Sequence, residues 1–169
     1  MLRSSLKLSL LARVTSLSSL RAPISFSCSS SSLRPFSTTT PTMSGLTHIF
    51  SKDAAPPAGP YSHAVSANGQ IFVSGQIPAD TAGNLVEGTI GEKTEQICKN
   101  IKAILDAAGS SVDRIIKVNV FLTNMADFAE MNAAYEKFFI SKPARSCVAV
   151  AQLPKGVPVE IECIALAKV

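Results

Sequence analysis

Apolar residues recur at helical spacing in the segment that lies between Thr89 and Gly109. Thr89 and Glu92 have the spacing of a capping box, in which each side chain accepts a backbone N–H of the first helical turn. Gly109 can adopt the left-handed conformation that ends many helices. The pattern therefore predicts one amphipathic helix, and we expect its buried face to consist of Ile97, Ile101, Ile104, Leu105 and Ala108.

A second, shorter helix is predicted after Asp127. The segment Asp127-Phe128-Ala129-Glu130 has the residue types of a helix N-terminus, with a capping side chain first and an acid three positions later. The apolar residues that follow again recur every three or four positions, which favours a helix over a strand. The predicted apolar face consists of Phe128, Met131, Tyr135 and Phe138.

Short alternating or continuous apolar runs predict five strands. The first two are joined by Asn68-Gly69, which favours positive φ at both positions and predicts a tight type I′ hairpin. Pro78 helps to end the second strand, because proline cannot donate to a sheet. The order β-β-α-β-α-β-β predicts an α+β domain with two helices on one face of a mixed sheet. The five predicted strands are Ser62–Ala67, Gln70–Ser74, Arg114–Thr123, Ala144–Val150 and Val157–Ala167.

One layer of two helices leaves the other face of the predicted sheet uncovered. Exposed apolar sheet surface is usually buried against another protein surface. The element count therefore predicts that this chain associates with copies of itself.

The first 43 residues have a different composition from the rest. Serine fills 13 of them, all their charged residues are basic, and the first acidic residue of the chain is Asp53. An Arg- and Ser-rich, acid-poor, amphipathic start is typical of a mitochondrial transit peptide. Arg34-Pro35-Phe36-Ser37 resembles the site that the matrix processing protease cuts, with cleavage after Phe36. A disordered Ser-rich tail is the alternative interpretation.

These observations divide the chain into a transit peptide (1–36), a disordered linker (37–46) and a globular domain (47–169). The predicted localisation is the mitochondrial matrix, and Met43 could start a cytosolic form. Removing residues 1–36 takes away five positive charges and changes the net charge from +4 to −1. The remaining domain therefore lacks the basic balance expected of a nucleic-acid-binding protein.

Cofactor, metal and membrane sites are not expected from the composition. Cys98, Cys147 and Cys163 are widely spaced, without a CxxC pair, and His48 and His63 are the only histidines. This is no zinc-binding pattern and no disulfide framework. No stretch approaches the ~20 apolar residues of a membrane span. We assign no role to His63, which we expect to be a surface strand residue.

Candidate chemistry lies in the last two predicted strands. If the link between them forms an antiparallel hairpin, Cys147 lies near Glu160, and Arg145 lies near Glu162. Arginine binds a carboxylate through two parallel hydrogen bonds, and a neighbouring glutamate can take a proton from water. The alternative is a cross-strand ion pair of Arg145 and Glu162, worth ~0.2–1 kcal/mol. Spacing alone leaves both open.

Several motifs of the domain resemble the RidA (YjgF-type) family. They occur in the family's order and extend the resemblance from about Phe50 to Ala167. The motifs are Gly59-Pro60-Tyr61-Ser62, Phe72-Val73-Ser74-Gly75-Gln76-Ile77-Pro78, Lys142-Pro143-Ala144-Arg145-Ser146-Cys147-Val148, Leu153-Pro154-Lys155-Gly156 and Val159-Glu160-Ile161-Glu162.

The resemblance implies a chorismate-mutase-like fold that assembles as a homotrimer, with sites in the clefts between subunits. It implies hydrolysis of 2-aminoacrylate, 2-aminocrotonate and their imine tautomers to 2-oxo acids and ammonia, without cofactor or metal. This activity protects pyridoxal-phosphate enzymes and supports branched-chain amino-acid metabolism. The alternative function is a non-enzymatic trimer that senses a ligand, acts as a chaperone or regulates translation.

Residue by residue, the resemblance implies that Arg145 clamps the substrate carboxylate and that Glu160 positions the hydrolytic water. Cys147 would line the pocket through its backbone, and no neighbouring histidine activates its thiol. Four further positions match the family's substrate-binding residues: Tyr61, Ser74, Gly75 and Asn132.

Each of these assignments has a purely structural alternative. Tyr61 could pack under the proline turn, and Asn132 could cap a neighbouring carbonyl. Ser74 and Gly75 could simply end a strand, and Cys147 could be a small buried residue.

Overall fold

Residues 45–168 are the part of the chain that the computed structural model describes. The predicted transit peptide, its cleavage site, Met43 and nearly all of the predicted linker lie outside them. Within residues 45–168 the predicted element order is confirmed, with one additional short strand at the start. The elements are β1 (Thr47–Ile49), β2 (Ala64–Ala67), β3 (Gln70–Gln76), α1 (Ile90–Ala107), β4 (Ile115–Leu122), α2 (Phe128–Phe138), β5 (Ala144–Ala149) and β6 (Val159–Leu166).

Both predicted ends of α1 are confirmed. The Thr89 hydroxyl accepts the Glu92 N–H at 3.2 Å, and the Glu92 carboxylate accepts the Thr89 N–H at 2.8 Å. At the other end Gly109 has φ +70°, and the Ser110 N–H donates to the Leu105 carbonyl at 2.8 Å. This is a Schellman motif, in which a left-handed residue satisfies carbonyls of the last turn.

The predicted cap of α2 is wrong. Asp127 already has helical φ and ψ and makes no capping hydrogen bond through its side chain. A 3-10 turn, Met125–Asp127, runs directly into α2, and Asn124 accepts the Ala126 N–H at its start. Glu130 instead accepts the N–H of Gly91 at 3.0 Å, in the first turn of α1. A carboxylate is favourable there because unpaired N–H groups carry partial positive charge.

The strands form one mixed sheet in the order β1-β2-β3-β6-β4-β5. Asn68 and Gly69 both have positive φ, as the predicted hairpin between β2 and β3 requires. The antiparallel hairpin between β5 and β6, on which the expected proximity of Arg145 and Glu162 depended, does not form. Instead β6 lies between β3 and β4, and β5 pairs in parallel with the far side of β4. β6 alternates buried and partly buried residues, whereas β5 is mostly exposed. The buried strand therefore occupies the centre of the sheet and the exposed strand its edge.

One face of the sheet and the two helices enclose the core. Ile97, Ile101, Ile104 and Leu105 of α1 are fully buried against this face, and Met131 and Tyr135 of α2 join the same cluster. Strand residues of the cluster include Ile71, Val73, Val118, Val120, Ile161 and Cys163. Within residues 45–168 no helix covers the other face, where Phe72 is 45% and Val148 48% exposed. The expected uncovered face is therefore present.

His63 is buried, contrary to the surface position that we expected. Its Nδ1 accepts the Ser51 N–H at 2.9 Å, and its Nε2 donates to the Ala55 carbonyl at 2.8 Å. These two bonds require the neutral ring with its proton on Nε2. His63 therefore fastens the segment before the proline turn to the start of β2.

Replacing His63 should destabilise the fold measurably. In His63→Ala the buried Ser51 N–H loses its acceptor, and an unsatisfied buried donor costs about 1–3 kcal/mol. Urea denaturation of the variant should show a lower midpoint with an unchanged slope. Lys52→Ala, an exposed change in the same segment, should leave the midpoint where it is. Equal midpoints for His63→Ala and the unsubstituted chain would contradict this role.

Candidate functional site

Arg145 of β5 points to the helix side of the sheet and lies against α2. Its guanidinium carbon is 4.6 Å from the centroid of the Tyr135 ring and 5.6 Å from that of Phe128. Its Nη1 donates to the Asn132 side-chain oxygen at 2.6 Å. Two aromatic rings and one amide thus hold the cation in a fixed orientation, since a guanidinium is attracted to ring faces. The structure therefore brings Arg145 and Asn132 together.

No carboxylate neutralises Arg145 within residues 45–168. The ion pairs found there are Lys102–Asp106 and Lys137–Glu95, both on the surface. A partly buried cation without an anionic partner is costly, and most of the five N–H donors of this guanidinium have no partner in the described chain. A cavity of about 410 Å³ opens beside it, lined by Tyr135, Glu136, Phe139, Ile140, Lys142, Pro143 and Arg145. The arrangement suits a small external carboxylate.

Phe128 and Tyr135 were predicted only as core residues of α2, so their contact with Arg145 is new. Burial raises the pKa of Tyr135 to about 12, although Arg145 acts in the opposite direction. Its hydroxyl is buried without a hydrogen-bond partner in the described residues. The sequence contains a signal for this contact: two aromatic residues lie seven positions apart on the helix with Asn132 between them. This spacing places all three side chains near one helix face.

Cys147 lies on the same face as Arg145, level with Val120 of β4. Burial raises the pKa of its thiol, and Arg145 only partly opposes this. A protonated thiol is a poor nucleophile. The Val150 N–H donates to the Leu122 carbonyl, so the backbone of Val150 faces β4. Backbone groups of successive strand residues point to alternate edges, so those of Arg145 and Cys147 face the free edge of β5. These backbone groups therefore do not pair with β4.

Gly75 and Glu160 meet on the uncovered face of the sheet. Gly75 lies at an irregularity in the pairing of β3 with β6, between Val73 and Gln76. A Cβ atom at Gly75 would overlap the Glu160 carboxylate. Glycine is therefore what allows the carboxylate to lie directly against the backbone of β3.

Ser74 and Tyr61 border a second cavity, next to Gly75. It has a volume of about 710 Å³, and Ser62 and His48 also line it. Ser74 Oγ donates to the Ser62 carbonyl at 2.7 Å. The Tyr61 hydroxyl accepts the Ala58 N–H at 3.0 Å, so this side chain braces the proline turn, while the residue as a whole remains 43% exposed.

Glu160 is partly buried, and this changes its proton affinity. Burial raises the pKa of its carboxyl group, and the negative charge of Glu162 raises it further. Glu162 itself accepts a hydrogen bond from the Asn119 side chain at 2.7 Å. A glutamate with a raised pKa is a better proton acceptor once ionised, which suits a general base.

The structure does not bring Arg145 and Glu160 together in one chain, contrary to the grouping that a hairpin of β5 and β6 would have produced. Arg145 and Cys147 are level with buried β4 residues on the helix side, whereas Glu160 and Glu162 are level with Phe121 and Asn119 on the uncovered face. The sheet separates the two groups. We call Arg145, Asn132 and Cys147 the arginine cluster, and Tyr61, Ser74, Gly75 and Glu160 the glutamate cluster.

Residues 45–168 contain neither a candidate metal site nor a candidate membrane-spanning helix. Among residues 45–168, no three His, Cys, Asp or Glu side chains gather into a metal site. Neither α1 nor α2 combines the length and apolar composition of a membrane span.

Comparison with known proteins gives a consistent family match. The family model described as Endoribonuclease L-PSP matches residues 51–167. Protein HMF1 of Saccharomyces cerevisiae is 52% identical over 121 residues, which are 71% of this chain and 94% of HMF1. Protein MMF1, mitochondrial, of the same yeast is 51% identical over 124 residues, 73% of this chain and 86% of MMF1. The name of MMF1 confirms the mitochondrial localisation predicted from the N-terminal sequence.

Solved structures confirm the predicted α+β fold. Yeast Mmf1 matches with a TM-score of 0.72 at 50% identity, over 73% of this chain and all (100%) of Mmf1. Escherichia coli TdcF, solved with bound serine, matches with a TM-score of 0.68 at 40% identity, over 72% of this chain and 99% of TdcF. RidA of a Psychrobacter species matches with the same score and identity, over 71% of this chain and 98% of RidA.

Proposed function

Because the chain belongs to the Endoribonuclease L-PSP family, whose members include RidA, we propose that it is an imine deaminase. Its substrates are 2-aminoacrylate, 2-aminocrotonate and their 2-imino acid tautomers, and its products are 2-oxo acids and ammonia. The observation that carries the proposal is the partly buried guanidinium of Arg145, which has no carboxylate partner within residues 45–168. Every proposed substrate bears a carboxylate that fits this cation.

A relative supports a small amino-acid-like ligand. TdcF was solved with bound serine, a molecule with one carboxylate and one nitrogen on the adjacent carbon. A 2-imino acid has the same arrangement. In this chain the arginine cluster would bind the carboxylate, with Asn132 fixing the guanidinium.

The complete site requires a second copy of the chain. The arginine cluster borders the free edge of β5, and the glutamate cluster lies on the uncovered face. Contact between the edge of one subunit and the uncovered face of the next would place the two clusters in one cleft. A homotrimer, as the RidA resemblance implies, repeats this contact three times and buries exposed residues such as Phe72 and Val148.

The reaction needs positioning and one proton acceptor. The iminium carbon is already electrophilic, so a water held by Glu160 attacks it while the carboxylate takes a proton from that water. The amino alcohol then loses ammonia and becomes the 2-oxo acid. Gly75, beside Glu160, would orient the substrate through its amide hydrogen. Ser74 Oγ donates its proton to the Ser62 carbonyl and would take part only as an acceptor.

The histidines of this chain do not support a ribonuclease mechanism that uses a pair of imidazoles. Both ring nitrogens of His63 are occupied by backbone groups in the interior. His48 is the one other histidine of the sequence. Such a mechanism needs two accessible imidazoles, one as base and one as acid.

The proposal is tested by coupling the full-length protein to a threonine dehydratase, which releases 2-aminocrotonate. We expect 2-oxobutanoate and ammonia to appear faster than with the dehydratase alone, in proportion to the amount of protein added. Binding of 2-oxobutanoate without any acceleration would refute the deaminase and favour a ligand sensor.

A further inference from the structure

An imidazole and a hydroxyl form a hydrogen-bonded pair in the cavity of the glutamate cluster. His48 Nδ1 lies 2.9 Å from Ser62 Oγ. His48 is exposed on β1, and Ser62 follows Tyr61 at the end of the proline turn. Neither residue has a role in the reaction described above.

The pair lines the same cavity as two residues of the glutamate cluster. His48 and Ser62 line the cavity of about 710 Å³ together with Tyr61 and Ser74. Ser74 is adjacent to Gly75, against which the Glu160 carboxylate lies. Ser74 thus connects the two groups, because its hydroxyl bonds to the Ser62 carbonyl and its neighbour Gly75 lies against Glu160.

The proposed hydrolysis contains a second proton transfer, which Glu160 does not supply. After water has attacked, Glu160 holds one proton taken from that water, and the former imine carbon bears a hydroxyl and an amine. The amine can leave only as ammonia, so its nitrogen must first gain a proton. A second acid on the other side of the reacting carbon can deliver it without requiring Glu160 to reach both atoms.

We propose that His48, acting through Ser62, is this acid; the proposal rests on the deaminase function above. Protonated His48 gives its Nδ1 proton to Ser62 Oγ, whose own proton passes to the amine. The C–N bond then breaks with its electron pair on nitrogen, and the hydroxyl proton goes to the departing ammonia. The products are the 2-oxo acid, ammonium, neutral His48 and protonated Glu160. Solvent then returns one proton to His48 and removes one from Glu160.

Imidazole suits this role because it changes charge between pH 5 and 8. Around the cavity the titratable side chains are His48 and Tyr61, and Glu160 lies beyond Gly75. An acid is active only when protonated, so the need for a proton donor should make kcat fall at alkaline pH. Glu160 is active when ionised, so kcat should also fall as pH falls through its raised pKa. The expected pH profile is a bell.

The test compares His48→Gln and Ser62→Ala with the unsubstituted full-length chain, using 2-iminobutanoate that a threonine dehydratase generates in the assay. We expect each variant to lose about 100-fold in kcat, the lower end of the effect of acid catalysis, with little change in KM. His48→Gln should also lose the alkaline limb of the profile. Imidazole added to His48→Ala should restore part of the rate.

A merely structural tie between β1 and the proline turn predicts a different pattern. Both variants would then lower the midpoint of thermal unfolding or raise KM, and the alkaline limb would remain in His48→Gln. That result, or an unchanged kcat in both variants, overturns the inference. The deaminase proposal fails separately, if the unsubstituted chain does not accelerate the release of ammonia.

Discussion

Arg145→Ala should strongly reduce the catalysed release of ammonia from 2-iminobutanoate while the fold and the oligomeric state survive. The side chain contacts neutral groups only, namely the rings of Phe128 and Tyr135 and the Asn132 amide. Its loss therefore leaves no buried charge behind in the free protein. In the complex, the substrate carboxylate would lose its cation, and truncating one partner of such a charge pair costs about 2–5 kcal/mol. This corresponds to roughly 30- to 5,000-fold in kcat/KM.

Two further variants show whether the planar fork matters as well as the charge. Arg145→Lys keeps a positive charge but loses the paired N–H groups and the stacking on Tyr135, so we expect only partial recovery. Lys102→Ala removes an exposed cation of α1 that pairs with Asp106 and should leave the rate unchanged. A normal rate in Arg145→Ala would remove this residue from the mechanism.

Most of the fold could be predicted because local rules decide it. Helix α1 is determined by nearby residues only: the spacing of its apolar residues, the Thr89–Glu92 capping box and Gly109. Asn68-Gly69 likewise determines its own turn, since both positions need positive φ. The predicted strand bounds agree with the observed ones to within two residues. Strand β1, with three residues, is too short to give an alternating pattern.

Strand pairing could not be predicted in the same way. The connection from β5 to β6 contains a 3-10 turn, Pro154–Gly156, and resembles a hairpin loop in sequence. Whether β6 pairs with β5 or enters the sheet between β3 and β4 depends on the burial of Val159 and Ile161 against residues distant in sequence. That non-local choice reversed the expected position of Glu160 relative to Arg145.

The residues assigned to the candidate site stay a prediction, whereas the structure determines where each of them lies. The resemblance identified Arg145, Asn132, Gly75 and Glu160, and the structure places them in two clusters on opposite faces of one sheet. Alternation along β5 and β6 correctly grouped residues within each strand. This alternation gave no information about the aromatic rings of α2 that contact Arg145. Those rings lie on an apolar helix face, which usually indicates residues of the hydrophobic core and nothing more.

Gly75→Ala should lower kcat by about 100-fold or more, the loss expected when a general base leaves its position. The new Cβ would overlap the Glu160 carboxylate. That carboxylate is the end of a flexible side chain, so it can rotate away at little cost to the fold. Rotation into solvent would remove part of the burial that raises the pKa of Glu160. The acidic limb of the pH profile should therefore move to lower pH in the residual activity.

The same substitution at Gly91 is the matched control. A Cβ there would meet Glu130 at 3.4 Å, an ordinary contact, on the first turn of α1, so Gly91→Ala should keep both rate and profile. Glu160→Gln should match Gly75→Ala in rate but lose the acidic limb altogether, because the amide does not titrate. Circular dichroism and sedimentation would verify that all three variants fold and assemble. The contradicting outcome is a full rate in Gly75→Ala together with an inactive Glu160→Gln. In that case Glu160 does not need its position against β3, and the close approach at Gly75 has no part in catalysis.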